Sequence, residues 1–110
     1  NPALFAKIAS TVDVASHGRL YAGFGAGWYE HEWRAYGYGF PETKERMAAF
    51  KEGVQILHKM WTEDYPEFDG KYYTIDKPIN EPKSHTPRPL VNQMTAVTWR
   101  NCLIPPDVAR

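Results

Sequence analysis

Between residues 2 and 15 apolar side chains recur three and four apart. Leu4, Phe5, Ile8, Val12 and Ala15 therefore share one face of a predicted helix. Asn1 and Pro2 ahead of them suit a helix start, the Asn as cap and the Pro at the first helical position. Gly18, in His17-Gly18-Arg19, stands where such a helix stops. The next run, residues 20–24, is short and mostly apolar, which predicts a strand covered on both faces. A helix, a glycine turn and a buried strand in succession are half of a βαβ repeat.

Beyond the strand the pattern turns aromatic and acidic. Residues 28–33 predict a short helix that ends in the glycine-rich stretch 36–40. Residues 41–61 carry the clearest helical period in the chain. Met47, Phe50, Val54, Leu57 and Trp61 line one face, and Lys44, Glu45, Lys51, Glu52, Gln55 and Lys59 occupy the others. Glu42 and Glu45 in its first turns suit the positive end of a helix. Asp69-Gly70, set between Phe68 and Tyr72, predicts a two-residue type I′ hairpin turn pairing the Phe68 side with the Tyr72 side. Pro78, Pro82, Pro87 and Pro89 predict an extended connector. A further strand would begin at Leu90-Val91, and Pro105-Pro106 breaks any helix near the end.

Composition narrows the class. With 43% hydrophobic and 24% charged residues, the 110-residue chain resembles ordinary globular protein and not a disordered segment. Lys plus Arg equals Asp plus Glu at 13 each, so no net field favours nucleic acid or an anionic membrane. The single Cys102 cannot form an internal disulfide. No apolar run approaches the roughly 20 residues a membrane helix needs. The expectation is a cytoplasmic α/β protein with no nucleic-acid or membrane partner. With Asn1 in place of Met, the chain is expected to be a fragment or a processed or trimmed product.

Candidate chemistry gathers at residues 23–32. Gly23, Gly25 and Gly27 alternate at the end of the apolar strand, where glycine permits positive φ and close approach of a ligand. Trp28 and Tyr29 offer rings to a planar ligand, with His31 and Glu32 as polar partners. The same glycines would equally serve a tight bend over core aromatics, and the pattern does not separate the two. Other chemistries fit less well. A dinucleotide fingerprint needs G-x-G-x-x-G, and Trp28 stands where its third glycine belongs. Phosphate-loop Gly-Lys-Ser/Thr is absent. His17, His31, His58 and His85 are dispersed, and Glu30-His31-Glu32 would not converge on one metal from a helix. Cys102 has no histidine near it in sequence, which argues against a catalytic thiol. Tyr65, Phe68, Tyr72 and Tyr73 around the hairpin read as cross-strand pairs, not a ligand patch.

Taken in order, these segments resemble the luciferase-like monooxygenase superfamily, and within it the deazaflavin branch that uses coenzyme F420. The resemblance runs through Asn1-Pro2-Ala3-Leu4, Asp13-Val14-Ala15-Ser16-His17-Gly18-Arg19-Leu20, Gly23-Phe24-Gly25-Ala26-Gly27-Trp28-Tyr29 and Glu32. It continues through Tyr36-Gly37, Phe40-Pro41, Arg46, Leu57, Trp61-Thr62, residues 68–73, Pro82-Lys83 and Pro87-Arg88-Pro89. It implies an α/β fold, here a fragment of a (β/α)8 barrel of the TIM type, with a partial barrel domain over residues 1–90. It further implies an oxidoreductase that transfers hydride between reduced F420 and a small organic substrate, or alternatively an FMN-dependent monooxygenase. The parent enzyme would form homo-oligomers, and the fragment alone would be inactive. Gly27, Trp28, His31 and Glu32 are the positions the resemblance puts near the cofactor. No metal is implied, and no catalytic acid or base is assigned. Family strands that follow the proline connector end in consecutive glycines that cradle the cofactor phosphate. This chain has no glycine after Gly70, so residues 91–110 are expected to be a divergent tail, as a shifted reading frame would produce.

Overall fold

Helix α1 (Pro2–Ala15) starts as its sequence predicts: the Asn1 side chain accepts a hydrogen bond from the Leu4 amide at 3.1 Å, and Pro2 opens the first turn. In the computed structural model, residues 1–83 are described in full and residues 90–93 as backbone. Strand β1 (Tyr21–Phe24), the short helix α2 (Glu30–Ala35) and the long helix α3 (Thr43–Thr62) follow. The hairpin β2 (Glu67–Asp69) and β3 (Thr74–Asp76) precedes strand β4 (Leu90–Gln93). β4 pairs parallel to β1, with Tyr21 opposite Leu90 and Phe24 opposite Gln93. A parallel pair needs a long crossover, which α3 and the hairpin supply. Residues 84–89 and 94–110, including Pro87, Pro89, Cys102 and most of the expected divergent tail, lie outside the described residues.

Helix α1 ends in a Schellman arrangement. The His17 amide donates to the Val14 carbonyl at 3.1 Å and the Gly18 amide to Asp13 at 2.9 Å. Gly18 was the expected stop, yet the left-handed conformation begins one residue earlier, at His17 (φ 54°), and Gly18 (φ 78°) continues it.

The buried face of α1 differs from the one its apolar period predicts. Ala6, Ala9, Ser10 and Asp13 are buried, whereas Leu4, Ile8 and Val12 are 60%, 53% and 44% exposed. Small side chains let α1 lie close to α3, whose bulky Ile56, Leu57, Met60 and Trp61 fill the space between. The closeness also permits a polar link: the Trp61 indole N–H donates to the Ala6 carbonyl at 3.1 Å, away from solvent. Asn80, from the segment after the hairpin, is buried beneath both helices. Its Nδ2 donates to Ser10 Oγ at 3.0 Å and to the Met60 carbonyl at 2.8 Å. Buried polar groups require such partners, so Ser10 and Asn80 register α1, α3 and the connector against one another.

On α3, Val54, Leu57 and Trp61 are buried as predicted, and Gly53, Ile56 and Met60 join them. Met47 is an exception at 43% exposed. Among the described residues β1 is not covered on both faces. Ala22 is buried and Phe24 half-buried against the helices, while Tyr21 and Gly23 face away. Phe24 lies between Phe5 and Phe50, with ring centroids 5.5 and 5.6 Å away. It rests on Gly53, where a Cβ would stand 2.9 Å from the Phe24 ring.

The hairpin forms, but not around a two-residue turn. Asp69 pairs with Thr74 and Phe68 with Ile75, leaving residues 70–73 as a four-residue loop closed by Gly70 N–H to the Tyr73 carbonyl at 2.9 Å. The Glu52 carboxylate on α3 organises this loop. It accepts from the amides of Lys71 (2.9 Å), Tyr72 (2.9 Å) and Tyr73 (3.1 Å). Gly70 is required for space: a Cβ there would strike the Glu52 carboxylate and stand 2.5 Å from the Phe68 ring. Partial burial pushes the Glu52 carboxyl up, but the three amides and the Lys71 charge outweigh it and hold the group below its ordinary value of 4.5. Along the hairpin, Lys77 Nζ meets Glu67 at 2.8 Å, lowering the carboxyl and raising the ammonium.

Two measurements test these packings. Leu57→Ala should cost about 2–5 kcal/mol in urea unfolding, whereas Met47→Ala, at a half-open site, should cost under about 1 kcal/mol; similar losses would contradict the assigned core. Because the folded Glu52 carboxyl is depressed, its stabilisation is complete above pH 4.5 and fades as pH falls through the folded value. Glu52→Gln should therefore speed amide exchange at residues 71–73 near neutral pH. The two proteins should converge in acid.

Candidate functional site: the end of strand β1 and helix α2

β1 runs out into Gly25-Ala26-Gly27-Trp28-Tyr29, and α2 begins at Glu30. α2 has six residues and buries none of them, far short of the roughly 12–15 an isolated helix needs to persist. It is held by its ends and by one ring. Gly37 (φ 79°) closes it in a second Schellman arrangement, with Gly37 N–H to Arg34 at 3.1 Å and Tyr38 N–H to Trp33 at 3.0 Å. Glu30 and Arg34 form an i,i+4 pair at 2.8 Å.

The ring is Trp33. Gly27 is left-handed (φ 74°), and a Cβ on it would stand 2.5–2.7 Å from three atoms of the Trp33 indole. Trp33 in turn meets Phe40 edge-on at 5.7 Å, and the Arg46 guanidinium lies 4.0 Å over the Phe40 ring. Arg46 also donates to the Pro41 carbonyl at 2.6 Å and to Thr43 Oγ1 at 3.3 Å. Glycine, indole, phenyl and guanidinium thus tie the strand end to the start of α3.

The four expected cofactor positions lie within this segment without converging on one cavity. Gly27 is occupied by Trp33, so its missing side chain serves the chain's own packing. Trp28 is 74% exposed and begins a tilted row of rings, Trp28 to Tyr29 at 5.4 Å and Tyr29 to His31 at 6.0 Å. Glu32 lies apart from that row. It lines an open groove of about 430 Å³ with Trp33, Tyr36 and Tyr38, the two tyrosine rings 6.3 Å apart. Trp33, Tyr36 and Tyr38 are not among the positions expected from the sequence, where the run of aromatics from Trp33 to Phe40 is the one signal that points to them. Among the described residues no group of three or more His, Cys, Asp or Glu could hold a metal, and no helix is long and apolar enough to cross a membrane.

A family model described as luciferase-like monooxygenase matches residues 1–103. The chain belongs to the luciferase-like monooxygenase family. Its curated relatives include F420-dependent glucose-6-phosphate dehydrogenases. That of Amycolatopsis mediterranei is 36% identical over 75 residues, covering 68% of this chain and 22% of the relative. That of Mycolicibacterium smegmatis is 39% identical over 75 residues, 66% of this chain and 22% of the relative. That of Segniliparus rotundus is 34% identical over 85 residues, 76% and 25% respectively. Among solved structures, an F420-dependent secondary alcohol dehydrogenase in complex with an F420-acetone adduct superposes with a TM-score of 0.74 at 28% identity, over 84% of this chain and 28% of that one. A monooxygenase from Streptomyces bottropensis gives 0.73 at 27%, over 87% and 29%. The chain therefore spans about a quarter of the length of the relatives it matches. Its fold is the expected α/β segment of a luciferase-like (β/α)8 barrel, and its family is enzymatic.

The contact between Gly27 and Trp33 is open to a double-mutant cycle. Gly27→Ala introduces both a left-handed strain and a collision with the indole, together about 1–3 kcal/mol. In a Trp33→Ala background the collision disappears and only the strain remains, so the cost should fall by about 1 kcal/mol or more. Equal costs in the two backgrounds would mean that the indole does not rest on Gly27.

Proposed function

We propose that this chain is part of an F420-dependent oxidoreductase that moves a hydride between the deazaflavin and a small organic substrate. The observation that most supports this reading is the F420-dependent relatives at 34–39% identity, together with the F420-dependent alcohol dehydrogenase that superposes on most of the chain. The residues present fit such a cofactor. On the side of β1 turned away from the helices, no atom among the described residues lies within 4 Å of where a Gly23 Cβ would stand. Trp28 follows as an exposed ring. Room beside a strand backbone and an apolar ring at its end are what a planar ring system needs, and barrel enzymes work at this end of their strands.

In this reading Trp28 packs on the cofactor ring and excludes water from it. Gly27 acts indirectly, by admitting Trp33 and so setting the course of the chain into α2. His31, next to Tyr29 in the ring row, would hold or pass the proton that accompanies hydride transfer at an imidazole nitrogen, while Glu32 faces the separate groove of Trp33, Tyr36 and Tyr38. The cofactor itself supplies the hydride chemistry. A complete barrel takes about 250 residues, so the 110 residues alone bind cofactor weakly and are inactive. The full protein works in the cytoplasm on a small molecule and as a homo-oligomer. A second reading, an FMN-dependent monooxygenase, is favoured by the likeness to the Streptomyces bottropensis monooxygenase.

Fluorescence titration of the full-length protein with F420 and with FMN separates the two, and F420 should bind more tightly. Trp28→Ala should weaken F420 binding by about tenfold, the worth of one aromatic contact, without moving the unfolding midpoint. Preference for FMN would favour the second reading, and failure to bind either would defeat both. Unchanged F420 affinity in Trp28→Ala would remove the β1 end from the cofactor site.

A further inference from the structure

We infer that the groove on α2 bounded by Glu32, Trp33, Tyr36 and Tyr38 binds a small organic cation. It would form the substrate side of the site proposed above, and in that respect the inference rests on that proposal. Three of the four lining residues are aromatic. The faces of such rings carry partial negative charge and attract a cation within about 6 Å. Tyr36 and Tyr38 are largely exposed, so their rings are available to a ligand. The fourth lining residue is a carboxylate, and among the described residues no cationic side chain pairs with it. Arg34, the basic side chain on α2, is bonded to Glu30 at 2.8 Å and not to Glu32. Arg46 is engaged by the Phe40 ring and the Pro41 carbonyl. Among the described residues Glu32 has no ion-pair partner.

The rings and the carboxylate therefore favour the same ligand charge. A quaternary or protonated amine satisfies both, a neutral isostere only the apolar contacts, and a phosphate monoester meets repulsion from Glu32 with no cationic side chain among the lining residues. A volume of about 430 Å³ is within the range of small-molecule sites. The relatives named for glucose 6-phosphate act on a phosphate ester, so this groove points to a different substrate charge for this protein.

Choline and 3,3-dimethylbutan-1-ol have nearly the same shape and differ by one positive charge. Calorimetric titration of the full-length protein should give choline about a tenfold advantage from ring and carboxylate attraction together, and phenyl phosphate should bind more weakly than either. Glu32→Gln should cut that advantage to about threefold or less, the ring contribution alone, and Tyr36→Leu should reduce choline affinity while F420 affinity stays unchanged. Both positions are exposed, and circular dichroism verifies that the variants fold. Equal affinity for choline and its isostere would overturn the inference, as would an undiminished preference in Glu32→Gln. F420 titration in parallel keeps the two proposals apart. If F420 binds but choline has no advantage, the groove inference alone fails. If choline is preferred while neither F420 nor FMN binds, the ligand class stands and the groove's place beside a cofactor falls.

Discussion

The approach of α1 to α3 governs much of what else the chain does. It is close because α1 turns Ala6, Ala9 and Ser10 toward its neighbour, and it is fixed by the indole of Trp61 donating into the backbone of α1 at Ala6. An indole N–H buried without a partner would cost roughly 1–3 kcal/mol, so any sliding of the helices is penalised twice, in packing and in hydrogen bonding. Asn80 reads the same geometry from the other side, since only at this separation can one amide nitrogen reach both Ser10 and Met60. With the two helices set, β1 has one place to lie, its Phe24 ring over Gly53. The direction of β1 then determines where the candidate site begins.

Much of this was legible in the sequence, and the failures share one cause. Asn1-Pro2, the period through Val54, Leu57 and Trp61, the short helix after Trp28 and the strand at Leu90 all express local preferences, which a sequence carries on its face. The misread features were set by partners distant along the chain. Leu4, Ile8 and Val12 form the more hydrophobic stripe of α1, but α3 selected the smaller one. Asp69-Gly70 has the composition of a two-residue turn, yet a carboxylate 17 positions earlier on α3 drew the next three amides into a wider loop.

The site followed the same rule. Family resemblance proposes a segment, and how its residues are arranged needed coordinates. Gly27 looked like room for a ligand, and the room is taken by Trp33 of the same chain. Glu32 looked like a companion of His31, and it faces a groove of rings that spacing alone did not assemble. A glycine in a candidate site can thus be reserved for a neighbouring side chain, and only the fold distinguishes the two uses.

The hold of Glu52 on the hairpin loop has a consequence for how this surface can vary. Recognition there is mainly of main-chain amides at Lys71, Tyr72 and Tyr73, with the Lys71 charge adding to it. Tyr72 could change most freely, since Tyr73 also packs against the core. Proline at any of the three would remove a donor, and a residue inserted among them would carry the amides out of reach of one carboxylate. Such a loop is constrained in its length more tightly than in its chemistry.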